Sequence, residues 1–191
     1  MPVIVTGNLY VVNEECPEML TLARESALMQ GEILLKTQPH SAWGGAVTAQ
    51  MYLPIALPLV WQQITDYPRW TQYFPDVTKS EIRQVVSRHP GVKRIYQAAS
   101  KAFLIFTSQV EISLRVLETQ HQRVQFFLES GSFSDFNADL QLQPHGEGTI
   151  LTYSVQATPT LPVPSFLIEQ AIRLDLPANL RQMRSVICAG R

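Results

Sequence analysis

The side chains able to move protons, hold a metal or act as nucleophiles are few and scattered: 4 histidines, 2 cysteines and 16 acidic residues in 191. His89 and His145 fall in the turn sequences His89-Pro90-Gly91 and Pro144-His145-Gly146, His121 lies in or beside another turn, and His40 sits in an early loop. All four are expected to be solvated loop residues. They lack HxxxH or HExxH spacing, so no metal site is expected. Cys16 and Cys188 stand near opposite ends without a CxxC pair and read as inert thiols of a reducing cytoplasm. Asp66 stands apart because it ends a helical stretch beside Tyr67, yet an aspartate before Tyr-Pro suits a turn-forming hydrogen bond better than proton transfer. There is no GxSxG elbow, phosphate-binding glycine loop or dinucleotide fingerprint, and Gly44-Gly45 reads as a turn. No catalytic residue, metal or cofactor is assigned.

The aromatic residues offer a different chemistry. Trp70, Tyr73, Phe74, Tyr96, Phe103, Phe106, Phe126, Phe136, Tyr153 and Phe166 supply large apolar faces suited either to a filled core or to a pocket for an apolar ligand. Tyr96 and Tyr153 are the best polar anchors, since each can point a hydroxyl into a dry space. Composition fits this direction. With 46% hydrophobic residues and a net charge of −1, the chain reads as one globular domain with an extension, without broad attraction for nucleic acid or an anionic membrane. Folding at this length hides roughly 70% of the unfolded surface, enough for a core that contains a cavity. No run of ~18 apolar residues and no basic-then-apolar N-terminus appears, so a cytoplasmic location is expected, with at most transient membrane contact.

The elements that must position these residues follow from periodicity. Residues 3–12 around Gly7-Asn8 suggest a strand or small hairpin, 17–29 a helix opened by Pro17, and 31–37 a strand. Residues 46–53 alternate as a half-buried strand, Pro58 opens a helix that ends at Asp66-Tyr67-Pro68, and 69–74 make a second short helix. Six further strands follow at 77–86, 92–101, 106–117, 123–129, 136–142 and 149–157, joined by short turns, which implies an antiparallel meander. Inward rows include Ile112, Leu114 and Val116, then Val124, Phe126 and Leu128, while Glu111, Arg115, Arg123, Gln125, Asp135 and Asp139 face water. The proline-rich 158–164 leads into a final helix, 163–187, with Ser165 as its cap. Its apolar stripe is Ile168, Ile172, Leu176, Leu180, Met183 and Ile187, and Pro177 kinks it between Arg173 and Pro177.

The stretch Pro58-Leu-Val-Trp-Gln-Gln-Ile-Thr-Asp-Tyr-Pro-Arg-Trp70, followed by Tyr73-Phe-Pro75, resembles the signature of the START-like (SRPBCC) superfamily, in its polyketide cyclase/dehydrase and coenzyme Q-binding branch. Gly148-Thr-Ile-Leu-Thr-Tyr153 and the 162–180 segment resemble that branch's closing strand and final helix, and the likeness spans about 46–186. It departs at Ala138-Asp139-Leu140, where relatives often carry Gly-x-Trp. The resemblance implies an α+β helix-grip fold: a seven-stranded antiparallel sheet wrapped around a long C-terminal helix, with two short helices after the first strand. Residues 1–43 are then an N-terminal extension packed on a ligand-binding domain of 44–191.

It further implies an apolar cavity between sheet and helix. The ligand-binding residues expected there are Trp70, Tyr73, Phe74, Tyr96, Phe106, Phe126, Phe136, Tyr153, Phe166, Ile172 and Leu176. The expected function is a carrier or shield for a lipid, isoprenoid, quinone or polyketide-like molecule. The alternatives are a cyclase, aromatase or dehydratase, which needs an ionisable group in the cavity, and an interaction scaffold that binds a protein partner.

Overall fold

Alternating apolar and polar residues between 45 and 159 build one continuous sheet. A computed structural model of the chain describes residues 17–38, 40–86, 89, 91–103, 106–164, 168 and 170–190, with backbone alone at 17–20, 101–103 and 106–108. The expected strand at 3–12, the Ser165 cap and Cys16 lie outside the described residues.

Helix α1 (Pro17–Met29) and strand β1 (Leu34–Gln38) precede β2 (Gly45–Leu53), α2 (Leu57–Ile64), a 3-10 turn at Tyr67–Arg69 and α3 (Trp70–Tyr73). Strands β3 (Val77–Val85), β4 (Val92–Phe103), β5 (Phe106–Thr119), β6 (Arg123–Gly131), β7 (Phe133–His145) and β8 (Gly148–Pro159) follow. All pairings are antiparallel, in the order β1-β2-β8-β7-β6-β5-β4-β3, so the meander returns its last strand to β2. The sheet has eight strands rather than seven because β1, from the early segment, adds itself to the free edge of β2. Register shifts opposite Ser113/Leu114, where β6 carries the extra residue Glu129, and at Phe133/Asp135 in β7 are bulges, which bend a sheet locally.

The early segment adds a layer of its own. Leu28, Leu34 and Tyr52 form a small separate core, the Arg184 guanidinium donates to the carbonyl of Gly31 at 2.8 Å, and Glu25 pairs with His145 at 3.1 Å. Gly31 takes φ +91°, a left-handed conformation that ends α1 and suits glycine.

At the C-terminus the expected kink takes a specific form. Residues Ala171–Asp175 make a π-helical turn, closed by the Leu176 N–H donating to the Ala171 carbonyl, and α4 (Leu176–Ala189) continues from it. Pro177 has no N–H for the Arg173 carbonyl, and a π-turn is one way a helix absorbs that missing bond. Beyond it Leu180, Met183 and Ile187 are buried against the main core.

Candidate functional site

Two ends of the space inside the grip are filled differently, and the sequence sets the difference. Along β2 the inward row runs Gly45, Val47, Ala49, Met51, Leu53, and its partners on β8 are Ala157, Val155, Tyr153, Leu151 and Thr149. Side-chain volume therefore tapers toward the Gly45/Ala157 end. At the opposite end, where α2 and α3 close the grip, large side chains meet.

That full end is an aromatic block. Tyr67 and Tyr73 are 0% exposed, Phe126 2% and Trp70 6%. Trp70 lies with its ring centroid 5.2 Å from Phe126 and stacks on Phe74 at 5.6 Å, while Tyr67 meets Phe126 edge-on at 6.2 Å. The polar tips are satisfied backward along the chain: the Trp70 indole donates to the Ile64 carbonyl at 3.0 Å, and the Tyr73 hydroxyl to the Gln63 carbonyl at 2.9 Å. These two bonds tie α3 to the last turn of α2 and give the Pro58 to Pro75 sequence its structural sense. Tyr67 donates to the Glu118 carboxylate at 2.5 Å, and Lys93 pairs with the same oxygen at 2.7 Å. Burial, with Glu118 adding to it, raises the Tyr67 phenol far above its ordinary range, and burial pushes Tyr73 up to about 12.

The tapered end holds a cavity of about 700 Å³, within the ~300–1,000 Å³ range of ligand pockets. Its sheet wall is made by Val47, Val110, Phe133, Val155 and Ala157, and its helical wall by Ile168, Ala171, Ile172 and Leu176. The helix approaches β2 closely here: a Cβ on Gly45 would lie 2.8 Å from Ile172 Cδ1. At the rim, Trp43 and Leu161 line the cavity while 40% and 76% exposed, so the space opens to solvent between the loop before β2 and the segment after β8. Hydrogen bonds fasten both sides of that mouth. The Trp43 indole donates to the Pro159 carbonyl at 3.2 Å, Ser41 and Thr158 hydroxyls meet at 2.9 Å, and the Thr160 N–H donates to the Ser132 carbonyl at 3.0 Å. Polar side chains on the wall include Asp76, Gln109, Asp175 and Asn179.

Of the ligand-binding residues expected from sequence, Ile172 and Leu176 line this cavity. Trp70, Tyr73 and Phe126 lie in the aromatic block, and Phe74 stacks on its edge. Phe136 sits behind Phe133, 5.6 Å between centroids, and packs on the core. Tyr153 shares an inward row with Val155 and Ala157 but lies one step deeper, against the core, where burial raises its phenol. Tyr96 points the other way: its neighbour Ile95 is 1% exposed, so alternation puts Tyr96 on the outer face, with Arg83 4.9 Å and Lys79 5.5 Å from its ring. Phe166 and the Phe106 side chain lie outside the described residues.

The histidines also depart from expectation, since only His89 is simply exposed. His40 lies 2.5 Å from the Asp135 carboxylate, His121 meets Trp61 edge-on at 5.8 Å, and His145 packs against Tyr52 as well as Glu25. They fasten loops to neighbouring elements, a role that turn composition does not reveal. Among the described residues, no group of three or more His, Cys, Asp or Glu could hold a metal, and no helix is long and apolar enough to cross a membrane.

The family model for polyketide cyclase/dehydrase and lipid transport matches residues 53–184. A STAR-related lipid transfer protein from Xanthomonas axonopodis superposes with a TM-score of 0.63 at 16% identity, over 81% of this chain and 93% of its own. A START superfamily protein from Mycobacterium smegmatis gives 0.64 at 13% identity, over 76% and 99%. The Zhui aromatase/cyclase from Streptomyces sp. R1128 gives 0.60 at 12% identity, over 75% and 93%. No curated protein matches the chain. The structural likenesses establish the START-like helix-grip fold, with β1 as an added edge strand.

Proposed function

We propose that this chain, which belongs to the polyketide cyclase/dehydrase and lipid transport family, binds and carries or shields a hydrophobic small molecule in the cavity between its sheet and its C-terminal helix. The observation that carries the reading is the cavity: about 700 Å³, walled by aliphatic side chains from both layers and open at Trp43 and Leu161. A ligand hiding about 300 Å² of apolar surface there gains roughly 7 kcal/mol before the costs of association, so the walls support useful affinity without reactive groups. Lipid, isoprenoid, quinone and polyketide-like molecules all fit this description. Cytoplasm is the proposed compartment, and a hydrophobic small molecule, with no nucleic acid, the proposed partner.

Organic extraction of freshly purified protein followed by mass spectrometry tests the proposal. A hydrophobic molecule recovered in near-stoichiometric amount supports it. Recovery of none, together with failure to bind a neutral dye such as Nile red, overturns it.

One observation favours the second reading, a cyclase or dehydratase. Asp76 and Asp175 are both among the residues that line the cavity, and such chemistry needs an acid or base within reach of the substrate. Conversion of a bound polyketide-like compound, lost in Asp76→Asn or Asp175→Asn with binding retained, would replace the carrier by the enzyme.

A further inference from the structure

Strand register gathers apolar chain at the end of the sheet where the cavity opens. Gly45 pairs with Ala157 there, Phe133 with Pro159, and the β4–β5 hairpin turns at the same end. That hairpin outruns both of its neighbours. β3 follows β4 no further than Val77 opposite Ala99, and β6 follows β5 no further than Gly131 opposite Ile112. β4 and β5 pair with each other on to Phe103 opposite Phe106, so four rungs project beyond the sheet and the last has phenylalanine on both strands. Beside this arm the cavity mouth is rimmed by Trp43, 40% exposed, and Leu161, 76% exposed, with Pro162 and Pro164 exposed next to Leu161. The rim segments 40–44 and 159–164 contain no Asp, Glu, Lys or Arg, and 98–107 of the hairpin contains only Lys101. One exposed leucine is ordinary, whereas apolar residues collected around the opening of an apolar cavity mark an interaction surface.

The chemistry of this surface suits a lipid bilayer. A hydrophobic molecule that leaves the cavity through water gives up its burial on the way, and a mouth pressed against a membrane spares it that step. The Trp43 indole N–H is already bonded to the Pro159 carbonyl, so its ring can sit among headgroups, where tryptophan is favoured, without losing a partner. A protein partner would find few charged groups on the rim to pair with, and a net charge of −1 gives no broad pull toward anionic lipid. Resting on the carrier reading above, we infer that this end of the grip docks on lipid bilayers through Trp43, Leu161 and the projecting β4–β5 hairpin. The attraction is apolar, so it needs neither anionic lipid nor low salt.

Flotation of the full chain with phosphatidylcholine vesicles tests this, with Nile red binding measured separately in the absence of vesicles. The protein is expected to float with the vesicles, and its partition coefficient to change less than two-fold between 0.1 and 0.5 M NaCl. Leu161→Asp is expected to lower that coefficient at least ten-fold. Val85→Asp, which adds the same charge at an exposed apolar site on the opposite end of the sheet, is expected to change it less than two-fold. Nile red binding without flotation overturns the inference and leaves the carrier reading intact. Loss of flotation at 0.5 M NaCl, or an equal loss in both variants, overturns it as well, because the contact would then be electrostatic or unspecific. A concentration-dependent dimer in vesicle-free solution that Leu161→Asp abolishes would assign the surface to a second copy and overturn it too. If no Nile red binds, the carrier reading falls and this inference with it.

Discussion

Raising the pH above 10 should destabilise this protein steeply, and the aromatic block sets the magnitude. Tyr67 and Tyr73 are fully buried, and their phenols have folded-state pKa values above the unfolded 10. A tyrosine is neutral when protonated, so holding the proton costs nothing below pH 10. Above it the unfolded chain ionises and the folded one does not. Each such group then lowers stability by about 1.4 kcal/mol per pH unit. For Tyr73 the loss levels off near pH 12, and for Tyr67 it continues beyond. At pH 11 the pair has removed about 3 kcal/mol, a large part of the ~5–15 kcal/mol typical of a domain. Urea unfolding followed by tryptophan fluorescence between pH 8 and 11 measures this. Because Tyr153, whose phenol burial also raises, contributes alongside Tyr67, Tyr73→Phe should remove about a third of the alkaline slope, whatever its effect at neutral pH. Phenolate absorbance in the folded protein should show Tyr67 and Tyr73 silent while exposed tyrosines titrate. Equal stability at pH 9 and pH 11, or ionisation of all 6 tyrosines near pH 10, would refute a closed aromatic block and reopen that end of the grip as binding space.

Three other substitutions probe separate parts of the molecule. Lys93→Met leaves the Glu118 carboxylate, 11% exposed, without its cation and should cost about 2–4 kcal/mol in urea unfolding, with part regained in Lys93→Met/Glu118→Gln; a loss under 1 kcal/mol would show the pair to be solvated. Ala157→Phe projects a ring into the tapered end and should weaken Nile red binding more than ten-fold while the thermal midpoint moves by only a few degrees; unchanged binding would place the dye elsewhere. Tyr67→Phe removes the hydroxyl that donates to Glu118, a bond to a charged acceptor, and should cost about 1.5–3 kcal/mol at pH 7 while sparing dye binding.

Much of the fold was legible because alternation and proline placement report directly on backbone geometry. The rows Ile112, Leu114, Val116 and Val124, Phe126 are buried as their period requires, and Pro58, Pro75 and Pro177 mark two helix boundaries and the irregular turn. The addition of β1 to the sheet was less visible, since edge pairing depends on which strand is left open. For the site, aromatic content was a misleading guide. Trp70, Tyr73 and Phe126 are large enough to fill space, and they leave no room at the end where they meet. Small residues were the better signal: Gly45, Val47, Val155 and Ala157 recur at every second position on two strands, and their missing volume is the cavity. Trp43 and Leu161 sit in segments without periodicity, and Asp76, Gln109 and the i, i+4 pair Asp175 and Asn179 converge from three places in the chain that no spacing rule connects. The signature resemblance located the fold rather than the pocket, because its tryptophan and tyrosine bond back to α2.

The central claim is that a hydrophobic ligand lies between the tapered end of the sheet and the π-turn. Amide chemical-shift mapping during titration with 1-hexadecanol tests it most directly. The expected result is a set of saturable shifts concentrated at Gly45, Val155, Ala157, Ile172 and Leu176, with Trp70, Tyr73 and Phe126 little changed. Shifts centred on those three aromatic residues, or on the outer face around Tyr96, would contradict it.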